Sequence, residues 1–162
     1  MFYALQILTV MLVALTMALS VAHALEYPGK RRLNKEHYMA TQAIYYPGFT
    51  FAGFGELLGV ILTFAVAMLS PRGSTALLLW WFAFVAMLLT HLTYWLVTHP
   101  VNNFWLRDLK LGNAGTQFFG FDFLPAGRSD WTALRDRWEF SHIGRGIFST
   151  AALLAAVIAI SV

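Results

Sequence analysis

Ionisable side chains able to do chemistry lie inside, or at one end of, the long apolar runs of this chain. Because such groups are expensive at membrane depth, they usually serve a function. The predicted helix positions place all of them in the same half of a membrane bundle, which favours one shared site. They are His23, Glu26, Glu56, His91, His142 and Arg145.

General acid–base catalysis on a bound organic substrate is the first chemistry that these residues favour. His142 or His91 is the expected base, and Glu56 is expected to tune the histidine. Asn102 and Arg145 are expected to hold or stabilise an oxyanion. Further residues are expected to contact the substrate, namely His23, Glu26 and Tyr94.

Metal or haem binding is the second chemistry, and it is left open. If a metal ion binds, the candidate ligands are His91, Glu56 and His23, which come from separate helices. Two histidines on facing helices are the alternative ligand set for a haem. The chain has no cysteine, so thiolate sites and disulfides are excluded. No cofactor is therefore predicted outright.

The elements that must position these side chains are transmembrane helices. The chain has 162 residues, of which 59% are hydrophobic and only 12% charged. Its apolar runs are about as long as the roughly 20 residues that a helix needs to cross a bilayer. We therefore predict one all-α transmembrane domain over residues 1–162, an integral membrane four-helix bundle. The predicted spans are residues 2–22, 48–69, 75–97 and 143–162.

Turn and cap signals predict how the spans are connected. Tyr27-Pro28-Gly29 and Pro100 are expected to end the first and third helices, and His91 and His99 are expected to share a helix face. A short amphipathic helix is predicted after the first span, with Asn34 as its N-cap and residues 35–44 as its body. A helical segment is predicted to lead into the fourth span. Asp130 or Ser129 is its expected cap, and Tyr45-Tyr46-Pro47-Gly48 is expected to turn the chain into the second span.

The basic residues predict the orientation in the membrane. They are concentrated in the segments 24–47 and 98–142, whereas Arg72 is the only one in the turn between the second and third spans. The positive-inside rule then places both long segments in the cytoplasm and both termini outside, in a bacterial inner membrane. Because the basic residues lie beside the spans, no nucleic-acid partner is expected.

Four stretches together resemble a known family. They are His23–Leu33, Gln42–Phe49, Thr98–Asn102 and Trp131–Arg145. The most specific part is Pro100-x-Asn102, followed by Trp131, Arg135-x-Arg137-Trp138 and His142-x-x-Arg145. Over nearly its whole length the chain resembles the anthrone oxygenase-like four-helix membrane proteins, whose bacterial members are largely of unknown function.

The resemblance implies a fold, a site and an activity. It implies four transmembrane helices whose signature loops lie on one face, with Asn102, Trp138, His142 and Arg145 lining the site. It also implies an oxygenase-like oxidoreductase that inserts oxygen at an activated carbon of a polycyclic phenol without a tightly bound metal. The expected ligand is a lipophilic aromatic or quinone-type molecule.

A different class of function is also open. The 14 Phe, 6 Trp and 6 Tyr residues suit helix packing, so the chain is alternatively an accessory or scaffold subunit of a larger membrane complex or a homo-oligomer. A haem- or metal-binding membrane protein is the third interpretation.

Overall fold

A computed structural model describes residues 1–45, 48–105 and 130–162 of the chain. Its helices are α1 (Phe2–Lys30), α2 (Lys35–Gln42), α3 (Gly48–Leu69), α4 (Thr75–Thr93), α5 (His99–Trp105) and α6 (Trp131–Ala159). A 3-10 turn covers Ala43–Tyr45, and a π-helical turn, Tyr94–Thr98, joins α4 to α5. In the described part of the chain, four helical stretches are long and apolar enough to span a membrane. The predicted all-α four-helix bundle is confirmed, and the protein is an integral membrane protein.

The four long helices form a closed ring in which neighbours run antiparallel. Helix α1 packs against α3, α3 against α4, α4 against α6, and α6 against α1. Helices α3 and α6 therefore face each other across the diagonal of the ring. We call the end that holds α2, α5 and the start of α6 the loop end. The opposite end holds the tight turn between α3 and α4, where Gly73 has a φ of 77°.

The half of the bundle near the opposite end is an apolar core. Val66, Trp80 and Ala83 pack there against Ala155 and Ala156 of α6. Alanine lets the helix backbones approach closely, and close packing is what holds membrane helices together. Large side chains such as Leu8, Phe82 and Leu154 point outward, as expected for surfaces that contact lipid.

Helix α1 continues through the sequence that was expected to end it. It runs unbroken past Pro28 to Lys30 and closes with a hydrogen bond of 3.0 Å from the Arg31 N–H to the Tyr27 carbonyl. The prediction of a break at Tyr27–Gly29 is therefore wrong. A proline removes one helical hydrogen bond, and packing of the rest of the helix outweighs that loss near its end. With 29 residues, α1 is ~43 Å long, which exceeds the ~30 Å hydrocarbon core.

Pro100 does not end the third span either, so that prediction is also wrong. The chain passes through the π-helical turn into α5 and stays helical to Trp105. Pro100 has no N–H to donate to the Leu96 carbonyl, and Arg137 of α6 donates to that carbonyl at 3.1 Å instead. The π turn adds a residue to the helical register. His91 lines the cavity described below, whereas His99 is buried against the rings of Tyr94 and Trp95, so the expected shared face is wrong.

The cap predictions have mixed outcomes. The Asn34 side chain caps α2 by accepting a hydrogen bond of 2.9 Å from the His37 N–H, as predicted, but the α-helix ends at Gln42 and continues only as the 3-10 turn. Asp130 occupies the N-cap of α6 without a side-chain cap bond, and its carboxylate accepts from the Thr132 hydroxyl. Ser129 lies outside the described residues, as do Tyr46 and Pro47 of the predicted turn.

Helix contact at Gly59 gives a first testable prediction. A Cβ added there would lie 3.1 Å from Met87 Cε and 3.7 Å from Leu12 Cβ, so Gly59→Leu should overpack the core. We expect the variant to lose about 1–3 kcal/mol of stability. Thermal unfolding in detergent measures this loss. Gly144→Leu is the matched control, because a Cβ at Gly144 meets nothing within 4 Å, and equal destabilisation of both variants would contradict the packing argument.

Candidate functional site

A cavity occupies the loop-end half of the ring, between all four long helices. The space free of protein atoms is about 840 Å³ when the open mouth of the cavity is counted. Gln42, the last residue of α2, and Tyr45 of the 3-10 turn line it at the loop end, together with Trp105 of α5.

The structure brings together almost all the residues that the sequence singled out. The exception is Glu26, which lies beside the cavity and pairs with Lys30 at 2.7 Å. The catalytic and binding roles of the other residues stay predictions. Those that line the cavity are His23, Glu56, His91, Tyr94, Asn102, Trp138, His142 and Arg145.

A buried ion pair forms the deepest part of the site. The Arg145 Nη2 donates to Glu56 Oε2 at 2.5 Å, which joins α6 to α3 across the diagonal of the ring. Both side chains are nearly buried, with exposed fractions of 11% and 6%. The other Glu56 oxygen lies 3.0 Å from His91 Nδ1. An ion pair is stable inside a protein only when further hydrogen bonds satisfy it, and His91 supplies one here.

Hydrogen bonds define the tautomer of His91. The indole N–H of Trp95 donates to His91 Nε2 at 3.0 Å, so Nε2 accepts and carries no proton. His91 Nδ1 then carries the proton and donates a hydrogen bond to Glu56. Both ring nitrogens of His91 are thus occupied by neighbouring side chains.

The same reasoning defines the proton of His142. The guanidinium Nη1 of Arg145 lies 3.1 Å from His142 Nδ1, and because arginine only donates, Nδ1 accepts. A neutral His142 therefore carries its proton on Nε2. That buried atom has no hydrogen-bond partner within residues 1–45, 48–105 and 130–162.

Unused hydrogen-bond donors are a shared property of the cavity wall. Besides His142 Nε2, the buried atoms Arg145 Nε, Gln42 Nε2 and Trp105 Nε1 have no partner in the described part of the chain. Leaving a buried donor unpaired costs roughly 1–3 kcal/mol, so a ligand that satisfies several of them gains affinity. Acceptor oxygens, such as those of carbonyl or phenolate groups, would satisfy donors of this kind.

Aromatic rings form the sides of the cavity around His23. Its ring centroid lies 4.5 Å from Tyr45, 4.8 Å from Phe49 and 5.0 Å from Trp138. Trp138 is held by its own hydrogen bond of 2.8 Å to Asn102 Oδ1, so Asn102 positions an aromatic wall. Flat aromatic walls favour a planar aromatic ligand.

Small residues of α3 provide the space. Ala52 and Gly53 line the cavity one turn before Glu56. Larger side chains at these positions would fill the volume that a ligand needs. At Gly55 and Gly59 of the same helix, an added Cβ would instead lie within 4 Å of Leu12 of α1. The small residues of α3 thus serve close packing on one side and an open cavity on the other.

A second buried polar cluster lies beside the cavity, and sequence reasoning missed most of it. Lys30 is buried between Glu26 at 2.7 Å and Glu139 at 3.7 Å. The Tyr38 hydroxyl donates to Glu139 at 2.9 Å, and burial raises the pKa of Tyr38 well above its usual range, so the phenol stays a donor. The Tyr45 hydroxyl donates to Glu26 at 2.5 Å. The available signal was Glu139, which lies one helical turn before His142.

The geometry bears on the candidate metal and haem ligands. Among the residues that the structure describes, no group of three His, Asp or Glu side chains is arranged to hold a metal ion. The rings of His23 and His142 are only 4.1 Å apart between centroids, which leaves no room for a porphyrin between them. Both nitrogens of His91 are already hydrogen bonded.

Comparison with known proteins adds no relative. No protein-family model matches the sequence, and no curated protein or solved structure is significantly similar to the chain. The resemblance to the anthrone oxygenase-like family therefore rests on the residues quoted above.

The diagonal ion pair gives a second prediction. Glu56→Gln keeps the shape of the side chain but leaves the Arg145 charge buried without a counter-charge, so we expect a loss of about 3 kcal/mol of stability. The double variant Glu56→Gln/Arg145→Gln should recover part of that loss, because it removes both charges. Thermal unfolding of the singles and the double in detergent forms a double-mutant cycle. Additive losses would contradict direct coupling.

Proposed function

We propose that this protein is a small membrane oxidoreductase whose cavity binds a lipophilic aromatic or quinone-type molecule. The observation that carries the proposal is the combination of aromatic walls with several unused buried donors at one cavity. Such a site favours a flat, apolar ligand with acceptor oxygens, and an apolar molecule of this kind dissolves in the bilayer around the protein. The resemblance to the anthrone oxygenase-like family supports the same class of substrate.

The proposed reaction is oxygenation of an activated ring carbon. A base on the cavity wall takes a proton from a CH₂ group that lies opposite a ring carbonyl, and the electron pair moves to the carbonyl oxygen. Molecular oxygen, the second substrate, adds to the carbon to give a hydroperoxide, which loses water. One CH₂ group and one O₂ molecule thus become one C=O group and one water molecule, with four electrons passing from carbon to oxygen.

Arg145 and His142 are proposed to hold the substrate oxygen. Arg145 Nε–H and His142 Nε2–H are both unused donors at the ion-paired end of the cavity. Donors aimed at an oxygen that gains negative charge lower the barrier of the step, because the charge develops where it is already stabilised. Glu56 keeps the guanidinium in place through the bond to its Nη2.

Neither alternative function is favoured by a specific observation. A haem or metal role depends most on His91, whose two nitrogens are engaged by Glu56 and Trp95. An accessory role predicts co-purification with other subunits and no loss of function in His91 or His142 variants. Both roles remain outcomes of the experiment below.

Binding and turnover of an anthrone test the proposal. Purified protein in lipid nanodiscs should accelerate conversion of anthrone to anthraquinone with matching O₂ uptake, and a hydroxyanthraquinone should quench tryptophan fluorescence because Trp105 and Trp138 line the cavity. Ala52→Phe should fill the cavity and weaken this binding at least about tenfold, or ~1.4 kcal/mol.

The matched control is Leu78→Phe, an equally large residue on the outer surface, where Leu78 is 70% exposed. It should bind and turn over as the wild type does. Equal behaviour of the two variants, or a wild-type protein that neither binds nor oxidises the probes, would reject the proposed function. A visible haem band in the purified protein would favour the redox-cofactor alternative.

We also propose that the loop end faces the cytoplasm and that both termini lie outside it, in a bacterial inner membrane. The basic residues concentrated at the loop end support this orientation. Because the chain has no cysteine, a single introduced cysteine is a unique label. In intact cells, a membrane-impermeant maleimide should label Ser161→Cys but reach His37→Cys only after lysis. The reverse pattern would invert the assigned topology.

A further inference from the structure

The hydrogen bonds of the site restrict which side chain is free to take a proton. Both oxygens of Glu56 accept bonds, from His91 and Arg145, and both nitrogens of His91 are engaged. His142 uses Nδ1 to accept from Arg145, which leaves it a proton, not a lone pair, on Nε2. The two histidines that the sequence favours as the base are therefore committed to other bonds.

His23 differs from both. It lies on α1, lines the cavity and is 4% exposed. Its Nδ1 lies 3.7 Å from Glu26 Oε2 and has no hydrogen-bond partner in the described part of the chain. That orientation leaves Nε2 for a ligand. The His23 ring is 4.1 Å from the ring of His142, which places it next to the proposed oxygen-holding pair.

We infer that His23 is the proton acceptor of this site and that Glu26 passes the accepted proton on to water. This inference rests on the proposed function, since it assigns the base of that reaction. Glu26 is 44% exposed, so a proton that reaches its carboxylate can leave to solvent. A small rotation of the Glu26 side chain closes the gap of 3.7 Å to a hydrogen bond.

The charged and titratable groups around His23 come from three elements. On α1, Glu26 attracts a proton on the ring, while Lys30, which pairs with Glu26 at 2.7 Å, opposes it. The Tyr45 ring and hydroxyl approach from the 3-10 turn. From α6, His142 contacts the ring and Arg145 adds a positive charge at longer range. Glu26 is thus the carboxylate that directly compensates an imidazolium at His23.

The step is a simple proton transfer. The C–H bond of the activated carbon breaks, its electron pair moves onto the substrate oxygen held by Arg145 and His142, and the proton moves to His23 Nε2. His23 Nδ1 releases a proton towards Glu26, so the ring returns to its neutral form. For a phenolic ligand the same transfer breaks an O–H bond and leaves a bound phenolate. That second case gives a readout that needs no turnover.

The first experiment measures the absorption of a bound hydroxyanthraquinone, whose phenolate absorbs at longer wavelength than the phenol. At a pH where the free probe is neutral, wild-type protein should shift the band to the phenolate position. His23→Gln should bind the probe within about threefold of the wild-type affinity but leave it neutral. The control, His37→Gln, changes an exposed histidine of α2 and should behave as the wild type does.

The outcomes separate this inference from the proposed function. No binding in the wild type rejects the proposed function and the inference with it. Binding without a phenolate band in the wild type, or a phenolate band that persists in His23→Gln, overturns only the role of His23. Loss of the band in His142→Gln but not in His23→Gln returns that role to His142.

The second experiment uses anthrone turnover. His23→Ala should lower kcat by at least about 100-fold, as expected for loss of a general base, and added imidazole should restore part of the rate. Chemical rescue reports a missing proton acceptor, which a purely structural role would not produce. Glu26→Gln should slow turnover mainly at low buffer concentration, because at high concentration the buffer accepts the proton in place of Glu26. An unchanged kcat in His23→Ala, or a loss that imidazole does not restore, contradicts the assignment.

Discussion

The ion pair between Glu56 and Arg145 is the interaction on which the site depends. It crosses the diagonal of the helix ring, so it connects two helices that the ring itself keeps apart. Charges in a low-dielectric interior are stable only when every remaining hydrogen-bonding atom is satisfied or faces a polar space. His91 donates to Glu56 at one end of the pair, and His142 accepts from Arg145 at the other. These two histidines of the cavity wall therefore supply further hydrogen bonds that a buried ion pair requires.

The two halves of the bundle have different roles. Near the turn between α3 and α4, alanines of α6 pack tightly against Trp80 and Val66, and the helices are held by close contact. At the loop end the same four helices enclose a space with aromatic walls. Rigid packing in one half fixes the positions of the side chains in the other half. A functional site benefits from such support because its donors must not move away from the ligand.

The π-helical turn and Pro100 show how an irregular helix serves this arrangement. Thr98 of this turn and Asn102 of α5 line the cavity together with His91 and Tyr94. Arg137 of α6 donates a hydrogen bond to the Leu96 carbonyl, to which Pro100 has no N–H to donate. The Thr98 hydroxyl bonds to Ser141 at 2.8 Å, which ties the same region to α6 again. Irregular turns of this kind occur often at functional sites.

The sequence by itself determined the class of the protein, its helices and the end of the bundle that holds the polar residues. Apolar length sets a membrane span almost alone, and a side chain such as Asn34 caps a helix through purely local bonds. Only the tertiary structure decided which polar groups pair, because helix rotation is set by packing against neighbours. Lys30 and Glu139 are far apart in sequence and meet only when α1 packs on α6. The same packing keeps Pro28 and Pro100 inside continuous helices, since contacts with other helices outweigh one missing hydrogen bond.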